Sequence, residues 1–345
     1  MDIYGIKSRR ELSEKFGDIR QIASIERMQI IDSSGGMNHI IQVRNATGLR
    51  FEINISRGFD IGLCEIQGIP VSWVSSTGRV SPFFYDKEAK GWHIGFEGGL
   101  LTTCGLQQAG KPSIDESEYY GQHGKISYIP ATLLQAEILW RHDECQLVCK
   151  GQIIETKACG EKLVLERTIT TYLDKNRIDI SDRVENHQFV RQPHMILYHL
   201  NFGYPLIDSN THVHELQSEK EVVNGSDEAL MSMQMPRLSL DGKPSVVLHK
   251  KIKSDSKKVE IKMSNEVRFN NNMKKLNVSI SYNKEQCPYL SQWRNNRNGI
   301  NVMAFEPGNV STKGRKFHRE QGDLPMLDFS ETKNYDLTIE FAIKE

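Results

Sequence analysis

The sequence has no excess of charge of either sign. Lys and Arg total 44, Asp and Glu also total 44, and the formal net charge is zero. No block of basic residues is present either. Because proteins bind a phosphate backbone through clustered cationic side chains, the composition argues against a nucleic-acid partner.

Long hydrophobic runs are also missing. The longest stretch without Lys, Arg, Asp or Glu extends from Gln192 to Ile207 and includes two His and two Pro. A helix needs ~20 apolar residues to span a bilayer. The segment Met1–Glu11 has no apolar core behind a basic start, which an export signal would require. From these absences we expect no membrane partner and a cytoplasmic location.

Cysteine and nucleotide-binding motifs are scarce. The six cysteines in 345 residues are too few for a disulfide scaffold, so we expect reduced thiols. The Gly-rich segment 98–105 lacks the Lys of a phosphate-binding loop. No long stretch carries a 3.6-residue apolar period, which argues against the alternating strands and helices of a dinucleotide-binding fold.

The abundant feature is an apolar period of two residues, interrupted by turns rich in Gly, Asn and Ser. The segments with this pattern are residues 27–31, 39–43, 50–56, 166–173, 177–184, 258–263, 276–282, 300–305 and 335–343. The pattern predicts one all-β domain over residues 1–345, built as a large antiparallel β-sandwich. A polar turn after Ser8, ending at Gly17, predicts a short helix in an N-terminal arm of residues 1–20.

Arg57 interrupts the alternation between Phe51 and Leu63. In that run the odd positions are apolar, and Arg57 falls among them. Since alternate side chains of a strand point to opposite faces, Arg57 is expected either to line a pocket and bind a ligand oxygen or, through a bulge at Gly58, to reach solvent.

Two histidines lie in distinctive surroundings. His123 stands between glycines in the segment Gly121–Ile129, interpreted as a strand whose glycines either admit a ligand or make a turn. The segment His194–Pro205 has apolar residues at both odd and even positions, which predicts a central strand covered on both faces. His199 and Asn201 share one face of it, either as core residues with satisfied hydrogen bonds or as the polar lining of a cavity.

Glu306 closes an apolar strand that begins near Gly299, and Pro307 follows it directly. Burial at the mouth of such a strand would raise the pKa of the carboxyl, as a general base working near neutrality requires. A solvent-exposed edge position is the alternative. Shortly before this strand, Trp293 offers a flat ring on which a sugar could stack, and Trp92 and Trp73 are weaker candidates.

Four segments resemble the aldose 1-epimerase (galactose mutarotase) superfamily, and their wording is closest to a bacterial branch of it. They are Ser56–Gly62, Gly99–Gly105, Tyr198–Pro205 and Phe305–Asn309, and the resemblance covers the chain from about residue 20 to residue 345. It implies one β-sandwich with a concave sugar-binding face, and mutarotation by a glutamate base with two histidines.

The resemblance also assigns roles to individual residues. His123 matches the first family histidine, His199 the second, and Glu306 the glutamate. The sugar contacts expected beside them are Arg57, Asn201, Trp293 and Gln122.

The wording around these residues departs from the common family pattern. The segments read Gln122-His-Gly124 at the first histidine and Tyr198-His-Leu-Asn-Phe202 at the second, and Gly308 follows Glu-Pro where the family has Gln. The proposed catalytic residues are therefore better retained than the substrate contacts.

The resulting hypothesis is a mutarotase that opens and recloses a monosaccharide ring by general acid and base catalysis. Glu306 would accept the anomeric hydroxyl proton, His199 would protonate the ring oxygen, and His123 would stabilise developing charge. No cofactor or metal is needed, and we expect a monomer or homodimer. One alternative is a carbohydrate-binding protein without turnover. Another is a cupin-like, metal-dependent sugar isomerase, suggested by His212-Val-His214 with Glu219 behind it.

Overall fold

A computed structural model describes residues 2–31, 36–88, 91–226, 232–254 and 256–344. Its three helices are short: α1 (Arg9–Lys15), α2 (Gly91–Ile94) and α3 (Arg315–Gln321). Single 3₁₀ turns occur at Ile19–Gln21, Pro82–Phe84 and Ile126–Tyr128. Within the described ranges, no helix is long and apolar enough to cross a membrane.

The N-terminal helix α1 confirms the prediction from its capping residues. Ser8 caps the helix by accepting a hydrogen bond from the Glu11 amide, and the Glu11 carboxylate accepts one from the Ser8 amide in return. This capping box satisfies amides that have no partner within the helix. Within the helix only Leu12 is buried, and it packs in the core together with Ile3 of the same arm.

Strands make up most of the regular structure. In chain order they are β1 (Ser24–Ile30), β2 (Asn38–Arg44), β3 (Leu49–Asn54), β4 (Asp60–Ile66), β5 (Ile69–Pro70), β6 (Leu101–Leu106), β7 (Ser113–Asp115), β8 (Glu118–Tyr120), β9 (Thr132–Arg141), β10 (Glu144–Thr156), β11 (Lys162–Tyr172), β12 (Lys175–Asn186), β13 (Gln192–Pro193), β14 (Met195–Phe202), β15 (His212–Val213), β16 (Glu219–Asn224), β17 (Ser245–Lys250), β18 (Lys258–Phe269), β19 (Asn272–Asn283), β20 (Tyr289–Asn295), β21 (Val302–Gly308), β22 (Met326–Leu327) and β23 (Thr332–Lys344).

The long strands form two antiparallel sheets, which confirms the predicted sandwich. One sheet has the order β1-β2-β3-β4-β6-β14-β21-β20-β17-β16, with β5 paired to β4. The other has the order β15-β18-β19-β23-β12-β11-β10-β9. One apolar core contains side chains of both sheets, such as Ile53 of β3 and Ile180 of β12. The apolar residues that alternate with polar ones along each strand face inward from both sheets and form this shared core.

Two predicted strands are broken by turns. The run from Phe51 to Leu63 splits into β3 and β4, with residues 55–59 forming a turn between them. Phe59 keeps its place in the core by adopting a φ of +54°. The predicted strand over Gly121–Ile129 is wrong, because this segment is a turn followed by a 3₁₀ turn. In both segments apolar and polar residues alternate as they do in a strand, but Gly residues allow the chain to reverse direction.

A buried charge network joins the two sheets. Arg167 on β11 donates to both carboxylate oxygens of Asp182, at 2.9 and 2.7 Å, and to Asp60 at 2.9 Å. Tyr198 on β14 donates to Asp182 at 2.8 Å. Burial alone would lower the pKa of the Arg167 guanidinium, but the two aspartates outweigh it and raise that pKa. The network fixes β14 from the core side, directly beside His199.

Candidate active site

A cavity of about 510 Å³ opens on the outer face of the larger sheet, over β14, β21 and β20. Alternation along the strands places it there. Leu200 and Phe305 point into the core between the sheets, so their neighbours His199 and Glu306 point to the opposite face. Both neighbours line the cavity. Its volume lies in the range typical of small-molecule binding sites.

Strand pairing brings His199 and Glu306 together. β14 and β21 are antiparallel, and Leu200 pairs with Phe305 while Leu197 pairs with Gly308, so the register sets His199 opposite Glu306. His199 Nε2 lies 3.3 Å from Glu306 Oε1, and both side chains are almost fully buried. An imidazole and a carboxyl group at this separation can share one proton.

Burial moves the two pKa values in opposite directions. It raises the pKa of Glu306 from 4.5 to about 8. It lowers the pKa of His199 from 6.5 to about 4, against the opposing effect of the nearby Asn201 side chain. The pair therefore holds one proton and no net charge across the pH range between these values. One group can donate a proton while the other accepts one.

His123 approaches the pair from a loop. Its ring centroid lies 5.9 Å from that of His199 and 4.6 Å from that of Trp92. Burial, followed by the nearby His199 and His93, lowers the pKa of His123 well below its usual value, so the ring is neutral. The Gly110 amide donates to His123 Nδ1 at 3.4 Å, which leaves the ring proton on Nε2 as a donor.

The loop conformation at His123 depends on Gly124. His123 has a φ of +56° and Gly124 a φ of +72°. A Cβ added to Gly124 would lie 2.4 Å from the carbonyl oxygens of Gln108 and Gly105. From the sequence, Gly124 could have served to let a ligand approach closely. In the structure it instead allows the close backbone packing that orients the His123 imidazole.

We expect Gly124→Ala to lower the free energy of unfolding by about 3 kcal/mol, because left-handed strain adds to a backbone clash. Gly322→Ala is the matched control, since Gly322 has a φ of +74° with nothing within 4 Å of the added Cβ. The control should cost only about 1 kcal/mol of strain. Urea unfolding of both variants measures the difference, and equal costs would show that the close packing at Gly124 is unimportant.

Three buried polar atoms of residues that line the cavity have no hydrogen-bond partner among the described residues. They are Glu306 Oε2, His199 Nδ1 and the indole nitrogen of Trp92. Buried polar groups are normally satisfied, and leaving them unpaired costs free energy. A bound polar ligand would supply the missing partners. Trp92 was only a weak candidate from the sequence, because its short helix α2 carries no pattern that marks the cavity.

The structure brings together five of the seven site residues inferred from the sequence. His123, His199, Glu306, Trp293 and Gln122 all line the cavity. The ring of Trp293 lies 5.4 Å from that of His199 and 5.9 Å from that of Trp73, centroid to centroid. These aromatic rings form a wall beside the imidazole–carboxyl pair.

Arg57 does not line this cavity and does not reach solvent either. It lies in the turn between β3 and β4, where its guanidinium donates to the backbone oxygens of Ser127 and Val80 and covers the ring of Tyr128 at 4.3 Å. Glu97 is 3.7 Å away. The alternation of apolar residues did not indicate this turn. Because of the turn, the Arg57 side chain stabilises the surrounding backbone.

Asn201 also lies outside the cavity lining. Its Nδ2 donates to the backbone oxygens of Gly99 and His199, at 3.1 and 2.9 Å. Its position next to the His199 ring opposes the fall in the pKa of that histidine. Asn201 is therefore placed beside the His199 ring and does not line the cavity.

The His212-Val-His214 motif is separated from Glu219. Both histidines are exposed at β15, on the edge of the smaller sheet. Glu219 belongs to β16 of the larger sheet and pairs with Lys251 at 2.9 Å. Among the described residues, no group of three or more His, Cys, Asp or Glu has the arrangement of a metal site. The spacing that suggested a cupin-like site does not bring these three side chains together.

The two large antiparallel sheets match the galactose mutarotase-like β-sandwich, and solved structures share this fold. A candidate aldose 1-epimerase from Klebsiella pneumoniae is 21% identical, with a TM-score of 0.82 over 94% of this chain and 86% of that one. A galactose mutarotase-like protein from Clostridium acetobutylicum is 12% identical, with a TM-score of 0.57 over 94% and 99%. A galactose 1-epimerase from Lactobacillus acidophilus is 12% identical, with a TM-score of 0.55 over 94% and 100%.

The chain belongs to the DUF4432 family, which is described as a domain of unknown function and matches residues 35–341. No curated protein matches the sequence. At the identities above, the solved structures show the fold alone, so a function has to be argued from the cavity.

Proposed function

We propose that the protein is an aldose 1-epimerase, an isomerase that interconverts the α and β anomers of a sugar. The observation that carries this proposal is the buried pair of His199 and Glu306, whose Nε2 and Oε1 atoms lie 3.3 Å apart and whose pKa values burial moves in opposite directions. Anomer exchange needs one proton donor and one acceptor on neighbouring sugar oxygens, and it needs neither an oxidant nor a nucleophile.

The reaction begins when the proton of the pair passes from Glu306 to His199, across the 3.3 Å between Oε1 and Nε2. The Glu306 carboxylate then accepts the proton of the anomeric hydroxyl, while the His199 imidazolium protonates the ring oxygen. The bond between the anomeric carbon and the ring oxygen breaks, giving the open-chain aldehyde. Rotation about the C1–C2 bond presents the other face, and the reverse proton transfers close the ring as the opposite anomer. Each transfer can contribute ~10²- to 10⁴-fold to the rate.

The remaining cavity residues position the sugar. The Nε2 proton of His123 is available to the oxygen on which negative charge develops. The indole nitrogen of Trp92 has no hydrogen-bond partner in the part of the chain that the structure describes, and it can donate to a sugar hydroxyl. Trp293 offers its ring to the C–H face of the sugar, and Gln122 offers an amide at the cavity wall.

Polarimetry tests the proposed activity. A freshly dissolved pure anomer relaxes to its equilibrium rotation, and the purified protein should accelerate this relaxation in proportion to its concentration. Aldoses, deoxy sugars and uronates form the panel. Saturable sugar binding without any acceleration would instead identify a carbohydrate-binding protein.

The pH dependence of kcat/KM should show a plateau between about pH 4 and about pH 8. Below the plateau, His199 takes up a second proton and the pair loses its base. Above it, Glu306 loses the shared proton and the pair loses its acid. The measurement subtracts the uncatalysed rate at each pH, and circular dichroism checks that the fold persists. A limb with its midpoint at 6.5, the ordinary pKa of histidine, would contradict this account of the pair.

A further inference from the structure

The cavity extends well beyond the imidazole–carboxyl pair. From β21, which carries Glu306, it continues over β20, β17 and β16. Three interstrand steps of ~4.8 Å amount to about 14 Å. One pyranose ring covers little more than one such step. A single sugar at Glu306 would therefore leave the distant part of the cavity empty.

A β-bulge shapes this distant part. Asn224 pairs with Val246, and the register between β16 and β17 shifts between Val222 and Asn224. The extra residue is Val223, and both Val223 and Asn224 consequently line the cavity. Regular pairing would have turned one of them to the other face, since bulges redirect side chains in this way.

The residues at this end form what we call the hairpin subsite: Val223, Asn224, Pro244, Val246 and Asn295. None of them carries a formal charge. Trp293, which pairs with Val246 across β20 and β17, stands between the hairpin subsite and His199. Lys111 lines another part of the cavity wall. An anionic or cationic group would find no partner among the five side chains of the hairpin subsite, so these side chains favour a neutral occupant.

The two amides indicate that the occupant carries hydroxyl groups. Asn224 Nδ2 donates to the Pro244 carbonyl at 3.3 Å, and Asn295 Oδ1 accepts from the Arg297 amide at 3.1 Å. Among the described residues no partner is recorded for Asn224 Oδ1 or Asn295 Nδ2, which leaves one acceptor and one donor. A sugar hydroxyl can pair with both, whereas a hydrocarbon group would leave them unsatisfied.

We infer that the substrate is a neutral reducing disaccharide, with its reducing ring at His199 and Glu306 and its second glycosyl unit in the hairpin subsite. This inference rests on the proposed function and narrows its substrate class. The second ring places its C–H face against Trp293 and the valines, and its hydroxyls meet the two asparagine amides.

Exchange NMR between anomeric protons tests the inference. Lactose, maltose, cellobiose and melibiose share a reducing glucose unit, so each is compared with glucose. We expect kcat/KM for at least one disaccharide to exceed that for glucose at least tenfold. Val246→Trp should lower this ratio at least tenfold by filling the hairpin subsite. Val222→Trp, a matched change at a half-buried valine of the same hairpin outside the cavity lining, should leave the ratio unchanged.

The outcomes separate this inference from the proposed function. If glucose or another monosaccharide exchanges as fast as every disaccharide, or if Val246→Trp leaves the ratio unchanged, the inference is wrong while the epimerase assignment stands. If no sugar exchanges faster than without protein, the epimerase assignment fails. In that case saturable binding of a disaccharide at least tenfold tighter than of glucose would still support the hairpin subsite, and equal or absent binding would overturn it.

Discussion

Replacing Glu306 with Gln should lower kcat by about 10³-fold, within the ~10²- to 10⁴-fold range of a single acid–base group. The amide keeps the shape of the side chain but can neither accept the anomeric proton nor share one with His199. Sugar binding should persist, because Trp92, Trp293 and His123 are untouched. Polarimetric relaxation measures the loss of turnover, and titration of the sugar against protein NMR signals measures binding.

Glu97→Gln is the matched control for this change. Glu97 is another largely buried carboxyl group whose pKa is raised by burial, and it does not line the cavity that contains Glu306. Its activity should stay within about twofold of wild type. An equal loss in both variants, or full activity in Glu306→Gln, would remove Glu306 from the mechanism.

Glu306→Gln should also change how the free energy of unfolding depends on pH. The folded-state pKa of Glu306 is about 8, above the ordinary value of 4.5. The stability that this group contributes is therefore present below pH 4.5 and is lost as the pH rises through 8. Glu306→Gln does not ionise, so its free energy of unfolding should exceed that of wild type above pH 8. Urea unfolding at pH 5 and pH 9 makes the comparison.

Arg167→Met should lower the free energy of unfolding by about 3–5 kcal/mol, because it leaves two buried carboxylates without their cation. Arg167 is fully buried, and its partners Asp182 and Asp60 come from a neighbouring strand and from the opposite sheet. Chemical denaturation measures the loss. Since Tyr198 donates to the same Asp182, the variant should also slow anomer exchange by displacing the adjacent His199.

Arg183→Met on β12 is the control. Arg183 is about half exposed and pairs with Glu185 at 2.7 Å on the surface. Exposed ion pairs contribute at most ~1 kcal/mol. If the two arginine variants lose equal stability, the buried network is not what joins the sheets.

Much of the fold follows from the alternation of apolar and polar residues at odd and even positions of the sequence. The alternation that predicts strands also assigns His199 and Glu306 to one face of each strand, and a sandwich leaves that face outside the core. Pairing of β14 with β21 then brings the two side chains within 3.3 Å. The sequence alone could not supply that pairing, because residues more than 100 positions apart are joined by the order of strands in the sheet.

Turns account for the predictions that failed. Residues 55–59 reverse the chain inside an apparently continuous alternation, so Arg57 donates to backbone oxygens and lies outside the lining of the cavity. His123 reaches the cavity from a loop held in a left-handed conformation, not from a strand. The bulge at Val223 is invisible to any periodic pattern, because it depends on the register of two strands in three dimensions.

In the proposed mechanism, one proton shared by His199 and Glu306 opens and recloses a sugar ring. Two-dimensional exchange NMR at anomeric equilibrium tests it directly, since cross-peaks between the α and β anomeric protons grow only if the two forms interconvert during the mixing time. The account predicts strong cross-peaks with wild-type protein and at least one neutral sugar, and their disappearance with Glu306→Gln. Cross-peaks of equal strength with both proteins, or none with any sugar that binds, would contradict it.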